Sequence, residues 1–156
     1  MSAEDIFFRG IDNLSLDSKG RLAIPARYRQ ALQDVCQGRL VCSIDHDGCL
    51  VLYPLPAWEQ VERQLSELPD YDVEARNLKR MLLGHASNCE LDSQGRILLP
   101  AMLREYAGIE KGVVLSGQGN KLEIWDGDAH KARIQEWRTA ARNPASMHEA
   151  LKNIKY

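Results

Sequence analysis

Two aspartate–arginine pairs stand out in the chain, and the partners in each lie four positions apart: Asp17 with Arg21, and Asp92 with Arg96. A guanidinium donates two parallel hydrogen bonds, so an exposed arginine can bind a phosphate or the edge of a guanine. The aspartate can hold that arginine in one rotamer for a ligand, or it can simply brace a turn, which stabilises an exposed hairpin only weakly. These residues alone leave two interpretations open, a nucleic-acid contact and a solvated hairpin.

Each pair encloses a four-residue turn, at 17–20 and at 92–95. Aspartate suits the first position of such a turn because its carboxylate accepts a backbone N–H, and glycine suits the last because φ there is positive. Short strand-like runs on both sides predict a β-hairpin with an exposed tip, where binding residues tend to lie. A two-stranded ribbon also fits the width of the DNA major groove.

These turns belong to a longer internal repeat. Residues 16–29 recur as residues 91–104, and 8 of the 14 positions are identical. Pro25 and Pro100 stand where a helix would begin, a position that proline tolerates well. We therefore predict two halves of similar design that share one core. The predicted organisation is a first repeat over 11–58, a helical connector over 59–86, a second repeat over 87–130 and a C-terminal helical tail over 131–156.

Helical patterns fill the connector and the tail. Pro56 opens the first helix, Pro69 breaks it, and a second helix stops at Gly84. Asp126 is expected to cap a further helix that ends at Asn143. A final apolar stripe fits either core packing, the more common case, or contact with another subunit. Its residues are Met147, Leu151 and Ile154.

The charge of the chain is unevenly distributed. Its 20 basic and 22 acidic residues give a net charge of −2, whereas nucleic-acid-binding domains are usually basic. However, segments 6–33 and 76–104 each carry +3, while segment 45–75 carries −7. Both basic segments contain a copy of the repeat, so the pattern favours a nucleic-acid contact near the hairpins. Arg29 is one of the cations in the first of them.

Patterns typical of catalysis and metal binding are weak. The chain contains no G-x-S-x-G, H-E-x-x-H or phosphate-loop pattern, so we expect no enzyme activity, cofactor or small-molecule substrate. None of the four cysteines forms a C-x-x-C pair. The closest set of ligand types is Cys42, His46 and Cys49, and no second pair follows it, so we predict no metal site. Cys42 and Cys49 are instead expected to be buried apolar groups.

Membrane and secretion signals are also weak. No apolar run approaches the length of about 18 residues that suggests a transmembrane helix. The N-terminus is acidic and lacks the basic and apolar regions of a secretory signal. A cytoplasmic location is therefore expected.

The doubled pattern Asp-Ser-(Lys/Gln)-Gly-Arg-x-x-x-Pro-Ala-x-x-Arg resembles the signature of the MraZ family, within the wider SpoVT/AbrB-like superfamily. Further matches follow in order along the chain, and the resemblance covers nearly all of residues 8–137. These matches are Phe8-Arg-Gly10, Leu52-Tyr-Pro-Leu-Pro-Ala-Trp58, Leu82-Leu-Gly-His-Ala86 and Asn120-Lys-Leu-Glu-Ile-Trp125.

The resemblance implies both a fold and a function. The implied fold is α+β, mainly β, with two swapped-hairpin half-barrels that form one pseudo-two-fold double-split β-barrel. The implied function is that of a transcriptional repressor of the division and cell-wall gene cluster, which binds short direct repeats in its own promoter. The implied partners are double-stranded DNA and other copies of the chain, in a ring of about eight or more subunits associated with the nucleoid.

The resemblance also implies which residues contact DNA, because the Asp-x-x-x-Arg loop is the family's DNA-binding motif. The main candidates are Asp17, Lys19, Gly20, Arg21 and Arg96. Supporting or weaker candidates are Arg9, Arg27, Asp92 and Gln94. Because Gln94 replaces Lys19, the second loop is expected to be a structural partner or a weaker contact. Residues 1–7, which precede the family pattern, are expected to be an upstream start or an acidic extension.

A second hypothesis from a different functional class remains open at this point. The chain could be a ring-forming protein–protein interaction module whose acidic middle segment or apolar tail binds a partner. Such a module would bind no specific DNA sequence.

Overall fold

A computed structural model describes residues 6–142 and 149–155 of the chain, which form eight strands and six helices. In chain order these are β1 (Ile11–Ser15), β2 (Arg21–Ala23), α1 (Ala26–Cys36), β3 (Arg39–Ile44), β4 (Leu50–Pro54), α2 (Leu55–Ser66), α3 (Val73–Leu82), β5 (Ser87–Glu90), β6 (Arg96–Leu98), α4 (Ala101–Ala107), β7 (Gly112–Gly117), β8 (Leu122–Asp126), α5 (Gly127–Ala141) and α6 (Glu149–Lys152). No helix in these ranges is long and apolar enough to cross a membrane.

The two halves of the chain exchange strands within one six-stranded sheet of order β1-β7-β8-β4-β3-β5. β1 from the first half pairs antiparallel with β7 from the second, and β5 from the second half pairs antiparallel with β3 from the first. β4 and β8 meet in the middle, with Leu50 opposite Ile124. The strand order is therefore symmetric about the β4–β8 pair, which confirms the predicted α+β fold of two swapped half-barrels.

A separate two-stranded ribbon joins the two halves again. β2 and β6 run antiparallel, with Arg21 opposite Leu98, Leu22 opposite Ile97, and Ala23 opposite Arg96. Leu22 and Ile97 point inward and are buried, because successive side chains of a strand face opposite sides. The outward face of the ribbon consists of the other four residues.

One core lies between the ribbon, the sheet, α1 and α4, and both halves contribute to it. On α1 the buried residues Tyr28, Leu32 and Cys36 recur every four positions, as expected for a helix with one apolar face. Leu103 of α4 is also fully buried in this core. Burying a leucine of this kind contributes about 1.5–3 kcal/mol, so the shared core stabilises the two halves together.

The helical connector packs on the other side of β3 and β4. Trp58 of α2 contacts Val41, Val51 and Tyr53, whose side chains face away from the main core. The predicted helices are present with small shifts at their ends, since α2 begins one residue before Pro56 and α3 ends two residues before Gly84.

The tail is only partly as predicted. Asp126 caps α5 as expected, because its Oδ2 accepts the backbone N–H of Ala129 at 3.0 Å. Leu151 and Ile154 are 47% and 59% exposed, so the expectation of core packing is wrong for these two residues. Helix α6 has four residues, too few to cover an apolar stripe against the barrel. Residues 1–5, the predicted helix end at Asn143 and the predicted contact of Met147 lie outside the described residues.

Candidate nucleic-acid interface

The Asp17 carboxylate organises the first loop. Its Oδ1 accepts the backbone N–H groups of Lys19 and Arg21, each at 2.9 Å, and its Oδ2 accepts Nε of Arg21 at 2.6 Å. Gly20 completes the turn with a φ of 83°. Because Arg21 binds the aspartate through Nε, its two Nη atoms remain available for a ligand. Within the described ranges, neither Nη atom makes a hydrogen bond.

The second loop repeats this geometry. Oδ1 of Asp92 accepts the backbone N–H groups of Gln94 and Arg96 at 2.8 and 2.9 Å, and Oδ2 accepts Nε of Arg96 at 2.9 Å. Gly95 has a φ of 75°. The aspartates therefore both brace the turns and orient the arginines, so the two roles considered for them are compatible.

These hydrogen bonds keep both aspartates ionised. The backbone N–H of Arg21 is the largest cause that lowers the pKa of Asp17, to about 2. The backbone N–H of Arg96 has the same effect on Asp92, whose pKa is also lowered. Each carboxylate is therefore negatively charged at neutral pH and can hold its arginine.

The ribbon brings the two arginines onto one surface. Arg21 and Arg96 lie on the outward faces of β2 and β6, and their side chains are 30% and 26% exposed. Nη1 of Arg96 is 3.9 Å from Oδ2 of Asp17, so the second arginine also approaches the carboxylate of the first loop. The two loops thus form one candidate interface.

Each turn glycine packs against an arginine from the other half of the chain. A Cβ atom on Gly20 would lie 2.9 Å from Cζ of Arg104, and one on Gly95 would lie 2.6 Å from Cδ of Arg29. The positive φ and this close approach together require glycine at both positions. Arg104 is fixed by a hydrogen bond from Nε to the Leu99 carbonyl oxygen, and Arg29 makes the equivalent bond in its own half.

These crossed arginines, Arg29 and Arg104, are the residues of the site that sequence reasoning missed. Each is the last residue of its copy of the repeat, and the presence of arginine at this position in both copies is the sequence signal that could have identified them. Along the chain, Arg104 lies far from Gly20, so only the fold shows that it extends the cationic surface of the first loop. A cleft of about 230 Å³ lies between Arg29 and the second loop.

Arg9 and Arg27 lie elsewhere. Both Nη atoms of Arg27 donate to Asp12, and its guanidinium stacks 4.4 Å from the centre of the Tyr28 ring. Asp12 precedes Asp17 by five residues along β1, a distance of about 16 Å in a strand. Arg9 lies beyond the start of β1, with its Cζ 5.3 Å from the centre of the Phe7 ring. Within the described residues, neither of these arginines makes a hydrogen bond or an ion pair with either loop.

Helix α2, which carries part of the acidic segment, and the ribbon lie on opposite sides of the sheet. Leu50 faces the main core, which also contains Leu22 of the ribbon. The neighbouring Val51 faces Trp58 of α2, within the acidic segment. Because successive strand residues point to opposite faces, α2 and its carboxylates lie behind β4 as seen from the ribbon. The sheet thus separates the α2 carboxylates, Glu59 and Glu62, from the candidate interface.

Cys42 and Cys49 are both buried, as expected. In the part of the chain that the structure describes, the residues with metal-ligating side chains that come together are Asp45, Cys49 and Glu123. Burial is the main cause that raises the pKa of the Cys49 thiol, which donates to Asp45 at 3.8 Å. Glu123 accepts the indole N–H of Trp125 at 3.0 Å. The Cys49 thiol and the Glu123 carboxylate are thus each engaged in a hydrogen bond with a protein group.

Comparisons with known proteins show the family of the chain. A family model described as "MraZ protein, putative antitoxin-like" matches residues 7–81 and again residues 82–151. A protein named transcriptional regulator MraZ from Thioalkalivibrio sulfidiphilus is 56% identical over 130 residues, which cover 83% of this chain and 87% of that protein. Proteins of the same name from Halorhodospira halophila and Hydrogenovibrio crunogenus are 50% and 49% identical, and each alignment covers at least 94% of this chain and 98% of the relative. The chain, with its two copies of the Asp-x-x-x-Arg loop, belongs to the MraZ family.

Proposed function

We propose that this protein is a transcriptional regulator that binds DNA through the β2–β6 ribbon and its two loops. The observation that carries the proposal is the pair Arg21 and Arg96 on one exposed face, each held by an aspartate through Nε. An arginine fixed in this way presents its Nη atoms as a rigid fork, which suits guanine edges and phosphates. The regulatory role is supported by the relatives, which are named transcriptional regulators.

The proposed sites are short direct repeats upstream of the protein's own gene, within the division and cell-wall cluster. The regulator acts there as a repressor and is associated with the nucleoid. This part of the proposal follows from the resemblance of the doubled loop pattern to the family signature. Each chain offers few base contacts, so specific binding requires several chains on neighbouring repeats.

Assembly into a ring is the second part of the proposal. Among the exposed apolar side chains of the described residues, two groups lie in separate regions: Leu78 and Met81 on α3, and Leu151 and Ile154 at the tail. If one region binds the other on the next copy, the contact is head-to-tail, and a head-to-tail contact that closes produces a ring. We expect Leu151→Asp to lower the particle mass measured by native mass spectrometry. An unchanged mass would exclude the tail from assembly.

The test of DNA binding is a titration of the duplex directly upstream of the gene with wild type and Arg21→Ala. Each good arginine–guanine contact discriminates by about 1–3 kcal/mol, so we expect a loss of about ten-fold or more per site. Arg63→Ala is the matched control, because Arg63 is an exposed arginine on α2, behind the sheet. Equal affinity of the two variants would show that the first loop is not the contact.

The salt dependence of the same titration tests the electrostatic part. Phosphate contacts release counterions, so the logarithm of the affinity falls linearly with the logarithm of the salt concentration. An affinity that does not change with salt would contradict a contact made by arginine and lysine side chains.

A protein–protein interaction module remains the second candidate function, and one surface favours it. An apolar groove of about 370 Å³ lies between α3 and the end of β3, lined by Ile44, Leu78, Met81 and Leu82. Competition between the upstream duplex and a scrambled duplex separates the two functions. A regulator prefers the upstream sequence, whereas an interaction module shows no preference.

A further inference from the structure

An exposed leucine stands on the same face as the two arginines. Leu98 is 55% exposed, although its neighbours Ile97 and Leu99 are fully buried. It lies directly opposite Arg21 in the β2–β6 register. Residues opposite each other in an antiparallel pair have Cβ atoms about 4.5–5.5 Å apart, so Leu98 and Arg21 occupy one patch.

The equivalent position in the first half carries a much smaller side chain. Ala23 corresponds to Leu98 in the repeat and lies opposite Arg96. One end of the ribbon face therefore presents arginine with leucine, and the other presents arginine with alanine. On the loops and the ribbon face, the two copies of the repeat differ at two exposed positions. One is Lys19 or Gln94, and the other is Ala23 or Leu98.

We propose that Leu98 contacts the C5 methyl group of a thymine beside the base pair that Arg21 contacts, and that this contact sets the orientation of the ribbon on DNA. The inference rests on the proposed function, since it requires that the ribbon enters the major groove. Thymine is the base that presents a methyl group there, and aliphatic side chains bind it by apolar contact.

Reach and chemistry both support the contact. Successive base pairs are about 3.4 Å apart, so two side chains separated by one strand spacing reach the same or adjacent base pairs. If both ends of the ribbon face carried the same residues, the face would be two-fold symmetric. It would then match a palindromic site and bind it equally well in either orientation, because the symmetry of a site mirrors that of the protein. With leucine at one end and alanine at the other, the face matches an asymmetric site, which has a direction along the DNA.

The experiment compares wild type with Leu98→Ala. Each protein first selects duplexes from a random-sequence library, and the best wild-type duplex is then remade with deoxyuridine in place of each thymine in turn. Deoxyuridine lacks only the methyl group. Ile11→Ala is the matched control, because Ile11 has the same number of carbon atoms, is also 55% exposed and lies at the far end of β1 from the first loop.

We expect one deoxyuridine position to weaken wild-type binding by about four-fold per site, the value for one buried methyl-sized group. Leu98→Ala is expected to be weaker by at least that factor and to be insensitive to that methyl group. Ala23→Leu is expected to gain a methyl preference at the other end of the site.

Two results would overturn the inference. In the first, Leu98→Ala retains the wild-type methyl dependence. In the second, it changes the particle mass in native mass spectrometry, which would make Leu98 a subunit contact. Failure of the proposed function is a separate result, in which wild type itself enriches no sequence from the library.

Discussion

The two loops of the interface have the same conformation but offer different surfaces to a ligand. Asp17 and Asp92 accept equivalent hydrogen bonds, and both turns end in a glycine with positive φ. The first loop carries Lys19 where the second carries Gln94, and Arg96 approaches Asp17 in addition to its own aspartate. The comparison shows that buried and turn positions determine the shape of the hairpin, while exposed positions beside them can differ without changing it.

The loops are also unequally sensitive to crowding. An added Cβ on Gly95 would lie 2.6 Å from Cδ of Arg29, whereas one on Gly20 would lie 2.9 Å from Cζ of Arg104, which is farther along its side chain. Outer atoms of an arginine move more easily than those near its root. The second loop is therefore the more tightly packed of the two, although it carries less charge.

The largest expected effect comes from breaking this packing. Gly95→Ala places alanine at a positive φ, which costs about 1–2 kcal/mol, and overpacks the site, which costs about 1–3 kcal/mol. We expect it to lower the free energy of unfolding, measured in urea, by about 2–5 kcal/mol. Gly20→Ala should cost less, about 1–2 kcal/mol. Gly48→Ala is the control, since Gly48 has a φ of 93° and open space around it. Equal losses in all three variants would mean that the crossed arginines add no constraint.

The next largest effect is on DNA affinity, when lysine replaces each loop arginine and so keeps the charge but changes the hydrogen-bonding geometry. Arg21→Lys and Arg96→Lys keep the charge, but lysine cannot bind the aspartate and present a fork at the same time. We expect each variant to lose about ten-fold in affinity for the upstream duplex, with the larger loss at Arg21. The predicted order would be reversed if the second loop made the stronger base contact.

A smaller effect tests the difference between Lys19 and Gln94. Lys19→Gln should reduce the steepness of the salt dependence by about 0.9 if Lys19 contacts one phosphate, and Gln94→Lys should increase it by about the same amount. The double exchange should restore the wild-type slope when the loops act independently. A slope unaffected by either single substitution would remove Lys19 from the interface.

The smallest effect concerns pH. The folded pKa of Asp17 is about 2, below its ordinary value of 3.8, and that of Asp92 is also lowered. The stability that these carboxylates provide is therefore fully present above pH 3.8 and is lost as the pH falls through the folded pKa. We expect DNA affinity to be independent of these groups between about pH 5 and 8. Carboxyl chemical shifts in an NMR titration measure both values, and an Asp17 midpoint at 3.8 would contradict the hydrogen bonding described.

Local features of the fold could be predicted from the sequence because their causes lie in neighbouring residues. The turns follow from Asp and Gly at fixed positions, the cap of α5 from Asp126, and the burial of Cys42 from its apolar run. The repeat that recurs after 75 residues also predicted two halves with a shared core. The boundaries proposed for those halves remain a prediction.

Long-range features could not be predicted in the same way. Periodicity shows that β1 has an inward face, but it does not show that the strand pairs with β7 rather than with a strand of its own half. The approach of Arg104 to Gly20 and the pairing of Leu98 with Arg21 depend on that exchange. The exposure of Leu151 was missed because an apolar stripe has the same spacing whether it is buried or not.

The exchange of strands between the halves has a consequence for how the interface can evolve. In a dimer of identical half-length chains with the same pairing, every substitution would occur in both loops at once. Here positions 23 and 98 are encoded separately, so an alanine and a leucine can occupy equivalent places on one ribbon. Joining the halves in one chain therefore permits a two-fold scaffold to acquire a directional surface by single mutations, each tested by selection on its own.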